Sequence, residues 1–269
     1  MNRIEEKLSM LKENNEKAFI TYLTAGLPDL ETTKKLVKVQ ETAGTDILEI
    51  GIPFSDPIAD GPVIQQASYE AIMNGVTTNK IFQAVEELRA EDVKIPIVFM
   101  LYYNTVVSFG IDAFAKKCLD TGVDGLIIPD LPFEEQEELQ NALDESNAKA
   151  EQETILIQLV SPVSKNRVPM ILENARGFVY CVSSMGVTGQ EASFHREVMS
   201  YLANVKEISK IPVMMGFGIR TAEDVAPMKD VIDGAIVGTH FINLMREHAF
   251  SPEAAAEYCS TFKRELNAL

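Results

Sequence analysis

Cysteine and histidine are scarce in this chain, three of each among 269 residues, and neither is clustered. Cys118, Cys181 and Cys259 are odd in number, far apart and without a Cys-x-x-Cys spacing, which argues against a disulfide framework or a thiolate metal site. His195, His240 and His248 form no metal-type pair, and no carboxylate or nucleophile is set beside them by spacing. They read as surface or structural residues, and no metal is expected. Tryptophan is absent altogether. Basic residues are the minority: 24 Lys and Arg against 40 Asp and Glu leave a formal charge of −16. Such a surface repels nucleic acid and anionic lipid. It still admits an anionic substrate, because a few backbone amides dominate at short range. No apolar run approaches the ~20 residues of a membrane span. The opening Met1-Asn2-Arg3-Ile4-Glu5-Glu6-Lys7 lacks the apolar core of a secretory signal. A reducing cytoplasm is the expected compartment. There is no early Gly-x-Gly-x-x-Gly, no low-complexity stretch and no linker.

What is present is a regular alternation. The hydrophobic fraction of 46% and charged fraction of 24% suit a chain with a large core. Eight short apolar runs read as strands: Ala18–Thr24, Asp46–Ile50, Ile95–Tyr102, Gly125–Ile128, Thr154–Val160, Gly177–Val182, Ile211–Met215 and Gly234–Val237. Several are almost continuously apolar, as parallel strands covered on both faces should be. Between them lie stretches of helical spacing: Leu30–Thr42, Asn79–Ala90, Asp112–Asp120, Phe133–Ser146, Val168–Asn174, Glu197–Ser209 and Ala222–Lys229. Strand followed by helix, eight times over, predicts an α/β fold of the (β/α)8 TIM-barrel type, one domain over residues 1–269. An open doubly wound sheet is the alternative. Arg3–Asn15, with Ile4, Leu8 and Leu11 on one face, is expected as an extra N-terminal helix capping the barrel bottom. Ser251-Pro252-Glu253 opens a C-terminal helix with Ser at the N-cap and Pro at the first position.

In the second strand, alternation sets Leu48, Ile50 and Ile52 on one face and Ile47, Glu49 and Gly51 on the other. With the apolar set toward the helices, Glu49 points into the barrel near its C-terminal end, where barrel active sites sit. A carboxylate there is costly unless paired or used. The next loop, Phe54-Ser55-Asp56-Pro57-Ile58-Ala59-Asp60-Gly61-Pro62, carries two aspartates. They are either turn formers or partners in acid–base work. The acidic run Glu134–Glu138 reads as a solvated helix start, and Cys181 as a buried wall residue. Gly186-Val187-Thr188-Gly189, Gly216-Phe217-Gly218-Ile219 and Gly238-Thr239 follow strands six, seven and eight. Glycine loops in that order suit phosphate binding at helix N-termini, though glycine also marks plain turns.

The stretch from Leu48 to Gln65, LEIGIPFSDPIADGPVIQ, closely resembles the signature of tryptophan synthase α subunits. The opening Ala18–Gly26 and the loops Gly186–Gly189 and Gly216–Ile219 fit the same family at matching distances, so the resemblance spans essentially the whole chain. It implies a lyase that cleaves indole-3-glycerol phosphate to indole and D-glyceraldehyde 3-phosphate. It implies Glu49 as general acid–base and Asp60 as the hydrogen-bond partner of the indole N–H. Tyr22, Tyr102, Tyr180, Thr188 and Phe217 would line the indole site, and Gly189, Gly218, Gly238 and Thr239 the phosphate site. No cofactor is implied for this subunit. The expected partner is a pyridoxal-phosphate-dependent β subunit in an αββα assembly, met through Pro53–Asp60 and Ser184–Phe194. Several positions depart from the family habit. Thr239 stands where serine is usual and Leu27 where an acid is commoner. Met185 and Gln190-Glu191 replace polar or basic residues. A non-catalytic phosphate-binding subunit and another phosphosugar isomerase or lyase are the competing expectations.

Overall fold

The computed structural model describes residues 2–148, 150–164, 166–182, 191–216 and 218–269, without the side chains of 191–196. Its strands are β1 (Ala18–Thr24), β2 (Ile47–Gly51), β3 (Ile97–Met100), β4 (Gly125–Ile127), β5 (Ile155–Leu156), β6 (Gln158–Val160), β7 (Val179–Cys181), β8 (Val213–Met215) and β9 (Gly234–Val237). The hydrogen-bonded order is β5-β4-β3-β2-β1-β9-β8-β7-β6, and every pairing is parallel. The two ends of that order, β5 and β6, are separated in the chain by Ile157 alone. One interrupted strand therefore joins β4 to β7 and closes a TIM barrel, with the predicted fifth run split in two.

The helices are α1 (Arg3–Glu13), α2 (Leu30–Thr42), α3 (Pro62–Met73), α4 (Thr78–Ala90), α5 (Tyr103–Phe109), α6 (Ile111–Thr121), α7 (Glu137–Asn147), α8 (Val168–Leu172), α9 (Glu191–Ile208), α10 (Thr239–Glu247) and α11 (Pro252–Leu266). Periodicity misses α3, α5 and α10. Pro62 hides the first: it sits at the first helical position after Gly61, where its absent N–H has no partner to lose. Tyr102, Tyr103, Val106 and Val107 give α5 the composition of a strand. The predicted helix over 222–229 is instead two 3-10 turns, Ala222–Asp224 and Ala226–Met228, because Pro227 breaks the i→i−4 ladder. The run 133–146 divides into a 3-10 turn, Phe133–Glu135, and α7. The C-terminal cap is as read: Ser251 accepts from the Ala254 amide with Pro252 next.

Alternation along the strands divides the core in two. Leu48, Ile50 and Ile52 face a shell shared with Leu36, Phe82, Phe99 and Phe241. Ile47 faces the barrel interior with Ile20, Val98, Ile127, Phe178 and Ile236. Ile4, Leu8 and Leu11 of α1 belong to that inner cluster and plug the end from which the strands start. Asn2 fastens the plug: its side chain accepts from the Ile4 amide and donates to the Asp124 and Glu153 carbonyls. With the bottom sealed, the interior opens toward the C-terminal ends of the strands, where the loops gather.

Candidate active site at the barrel mouth

A cavity of about 1080 Å³ occupies that mouth, and its wall includes Tyr22, Glu49, Asp60, Tyr180, Gly218, Gly238 and Thr239. Glu49 stands on β2 beside Tyr22 of β1 in the strand register. It has no solvent exposure, and among the described residues neither carboxylate oxygen has a hydrogen-bond partner. Burial pushes its pKa up to about 8. At neutral pH Glu49 is therefore mostly a neutral acid held over an open space.

Asp60 lies on the loop between β2 and α3. The Tyr102 hydroxyl donates to its Oδ2 at 3.0 Å and accepts the Ala59 amide at 2.9 Å. Burial raises the Asp60 pKa, and the Tyr102 bond opposes the rise. Tyr102 also stacks on Phe54, ring centroids 5.0 Å apart, so one side chain ties both ends of the loop. The second aspartate takes the other role: Asp56 is exposed and accepts the Ser55 hydroxyl at 2.6 Å, away from the cavity wall. Two carboxyl groups thus share the mouth, one held by tyrosine and one with no partner among the described residues.

Two more tyrosines reach the cavity by one device. Tyr22 on β1 leans across Gly51 of β2, where an added Cβ would stand 1.9 Å from its hydroxyl. Tyr180 on β7 leans across Gly216, just beyond β8, where a Cβ would stand 2.4 Å from its hydroxyl. Strand-end glycines make room for both rings. Burial first, and then the neighbouring carboxyls, raise both hydroxyl pKa values, so both stay protonated.

On the far side, Gly238 caps α10 with Thr239 as its first residue. The leading amides of that helix have no intrahelical acceptor and meet the cavity with the positive end of the dipole. Gly218 has φ +71° and, among the described residues, no atom within 4 Å of an added Cβ, which leaves room for a close-fitting oxyanion. Thr188, Gly189 and Phe217 lie outside the described residues, as do Met185 and Gln190 and the side chain of Glu191.

Some cavity residues were not singled out by sequence. His240, read as surface or structural, lies in the wall one residue after Thr239, and burial followed by Arg220 lowers its pKa. His248 terminates α10. Gln158 donates to Gln136 at 2.8 Å in the cavity wall; a glutamine inside the apolar fifth run was the available signal. Cys181 is buried, as read. Glu134 is exposed and paired with Arg167. Among the described residues, no three His, Cys, Asp or Glu side chains gather as a metal site, and no helix is long and apolar enough to cross a membrane.

Comparison with known proteins extends over the whole chain. The family model described as "Tryptophan synthase alpha chain" matches residues 8–269. The tryptophan synthase alpha chain of Lachnospira eligens is 64% identical over 268 residues, covering all of both chains. That of Alkaliphilus metalliredigens is 44% identical over 266 residues, 99% of this chain and 97% of its own. The crystal structure of tryptophan synthase subunit alpha from Legionella pneumophila superposes with a TM-score of 0.89 at 33% identity, covering all of both chains.

Proposed function

The chain belongs to the tryptophan synthase alpha chain family, a carbon–carbon lyase family of tryptophan biosynthesis, and from that premise we propose that Glu49 and Asp60 carry its cleavage of indole-3-glycerol phosphate to indole and D-glyceraldehyde 3-phosphate. The observation that supports it most is Glu49: fully buried, without a hydrogen-bond partner on either oxygen among the described residues, and opening on the same cavity as Asp60.

Protonating indole C3 turns the ring into an electron sink. Glu49, kept neutral by its surroundings, delivers that proton. Its carboxylate then takes the proton of the C3′ hydroxyl. The C3–C3′ bond breaks, its electron pair returns to the ring, the aldehyde forms and Glu49 is again neutral. Asp60 accepts the indole N–H and offsets the positive charge on the ring. The Tyr102 bond keeps Asp60 closer to its ionised form than burial alone would. Tyr22, Tyr102, Tyr180, Thr188 and Phe217 hold the indole. Gly189, Gly218, Gly238 and Thr239 take the phosphate, and Thr239 keeps a hydroxyl where serine is usual.

The chemistry asks for no cofactor in this chain; pyridoxal phosphate belongs to the partner. That partner is a tryptophan synthase β subunit, assembled as αββα, in the cytoplasm. Pro53–Asp60 and Ser184–Phe194 form its docking and signalling elements. Ile58 supports this: it is 83% exposed in the first of those segments, and exposed Val107 and Val163 follow β3 and β6 at the same end of the barrel. Residues 1–269 act as one domain.

Indole release from indole-3-glycerol phosphate, with and without a β subunit, tests the reading. Glu49→Gln and Asp60→Asn are each expected to lower it by about 10²- to 10⁴-fold. Full activity in either variant refutes the assignment, as does turnover of a different phosphosugar with none of this substrate.

A further inference from the structure

The phosphate site assigned above has two arms that come from different parts of the barrel. One is the segment after β8, residues 218–221, and the other is the start of α10, residues 238–241. Gly218, Arg220, Gly238, Thr239 and His240 all stand in the cavity wall. Among the described residues, no hydrogen bond runs directly from one arm to the other. Each arm is ordered by itself. Asp224 closes the first from within, its Oδ2 accepting the Arg220 amide at 2.8 Å and the Thr221 amide at 2.9 Å. The second is a helix start, in which the Ile242 amide donates to the Gly238 carbonyl at 3.1 Å. The link between them lies outside both. Tyr258 of α11 donates its hydroxyl to the Arg220 carbonyl at 2.8 Å. The ring of the same residue meets His240 and Phe241, with centroids 5.5 and 5.7 Å away. Phe241 is fully buried, and α11 is seated in the outer shell through Ala255, Cys259, Phe262 and Leu266. The tyrosine therefore projects from a fixed helix onto both arms.

We propose that Tyr258 is a positioning residue for the phosphate site: its hydroxyl holds the segment after β8 and its ring holds the start of α10, so that the two arms keep the spacing a phosphoryl group needs. The inference deepens the reading above and rests on its phosphate assignment. Amides donate well to a phosphate oxygen only when their direction is fixed beforehand. An arm free to drift must be ordered by the ligand, and that cost is taken from affinity. The bond that breaks, C3–C3′, lies at the other end of the substrate beside Glu49. Loss of the tie therefore weakens binding and leaves the chemical step nearly as it was.

Tyr258→Phe keeps the ring and deletes the bond to Arg220. In the full-length chain, inorganic phosphate is titrated against the ¹H–¹⁵N signals of the Gly218 and Thr239 amides. The dissociation constant is expected to rise about threefold to tenfold in Tyr258→Phe, the size of one lost hydrogen bond. It should rise further in Tyr258→Leu, which loses the ring as well. KM for indole-3-glycerol phosphate should rise in step, with kcat within about twofold of wild type. Leu266→Ala is the control: it opens a gap under the same helix, and is expected to lower the thermal transition without moving either constant. A phosphate affinity unchanged in both tyrosine variants overturns the proposal. So does an equal rise in Leu266→Ala, which would reduce the effect to general loosening, and so does a fall in kcat with KM unmoved. Phosphate that shifts neither amide in the wild type sinks the phosphate assignment and the proposal with it, so the two failures read differently.

Discussion

Tyr102 and Asp60 are joined by a 3.0 Å hydrogen bond whose tyrosine oxygen also receives the Ala59 amide at 2.9 Å. The tyrosine leaves the end of β3, a rigid element, while Asp60 rides on a loop with an exposed neighbour on each side. The bond therefore transfers the precision of the barrel to a carboxylate that the loop alone would leave loose.

Tyr102→Phe should consequently affect geometry and charge together. The Ala59 amide loses its acceptor and Asp60 its donor. Indole release is expected to fall about tenfold, with most of the loss in kcat rather than KM. The Asp60 pKa is expected to move up by about 0.5–1 unit. An unchanged kcat with a raised KM would show that the ring only packs against the substrate.

Glu49 makes the pH dependence specific. Its folded pKa of about 8 lies above the ordinary glutamate value of 4.5. A group raised on folding contributes stability that is fully present below the unfolded pKa and is lost as pH rises through the folded one. Between pH about 4.5 and 8 the unfolded chain releases the proton and the native chain keeps it. Stability then declines by at most about 1.4 kcal/mol per pH unit from this group. Glu49→Gln is expected to flatten that decline in urea titrations run from pH 5 to 8. The same acid should set the alkaline limb of kcat/KM near pH 8. A wild-type and Gln variant with parallel stability curves would refute the assignment.

How much of this was legible beforehand follows the physics of each feature. Period-two alternation in Ile47-Leu48-Glu49-Ile50-Gly51 was enough to aim Glu49 inward, because a strand has only two faces. The strands were found as short, almost continuously apolar runs, as buried parallel strands should be, and the plug was found from the helical spacing of Ile4, Leu8 and Leu11. Composition and spacing left Asp56 and Asp60 equivalent, and only the family resemblance pointed to Asp60. Both sit beside proline or glycine, and only the fold shows that Ser55 occupies one and Tyr102, 42 residues away, holds the other. The reason for Gly51 was equally hidden. It looks like the end of a strand, but it answers to a tyrosine on the neighbouring strand. Short helices after a strand, such as α5, defeat periodicity because seven residues give too few turns to repeat.

The glycines under the tyrosines give a sharp steric test. A methyl group at position 51 would stand 1.9 Å from the Tyr22 hydroxyl oxygen, 2.5 Å from Cζ and 2.7 Å from Cε2. Three atoms of a buried ring cannot all retreat, so Gly51→Ala is expected to cost about 1–3 kcal/mol and to displace Tyr22 from the site. Removing only the oxygen relieves only the shortest contact. Gly51→Ala combined with Tyr22→Phe should therefore remain substantially destabilised, whereas combination with Tyr22→Leu should recover stability without recovering indole release. Thermal unfolding and the indole assay on the three variants separate these outcomes. A Gly51→Ala protein as stable as wild type would mean that the strands can spread.

At the opposite end, Asp124 locks the plug to the barrel. Its carboxylate has no exposure and accepts Arg3 at 2.7 Å, Arg89 at 2.8 Å and the Ile97 amide at 2.8 Å. Arg89 further donates to the carbonyls of Gly122, Val93 and Ile95, so its position is fixed by backbone. Asp124→Ala strands a guanidinium that cannot swing away and leaves a buried amide unpaired. Both effects push the same way, and removing one partner of a buried pair typically costs about 3–5 kcal/mol. Arg3 is partly exposed and can turn to water, which places the expected loss near the lower end, about 3 kcal/mol. Arg3→Ala removes only the solvent-accessible partner and should cost about 1 kcal/mol or less. Urea unfolding gives both values. Because the network seals the bottom and the cavity opens at the top, the folded Asp124→Ala protein should keep its indole release per active molecule at 20 °C. A loss of that turnover with the secondary structure intact would show that the plug and the mouth are coupled through the inner core.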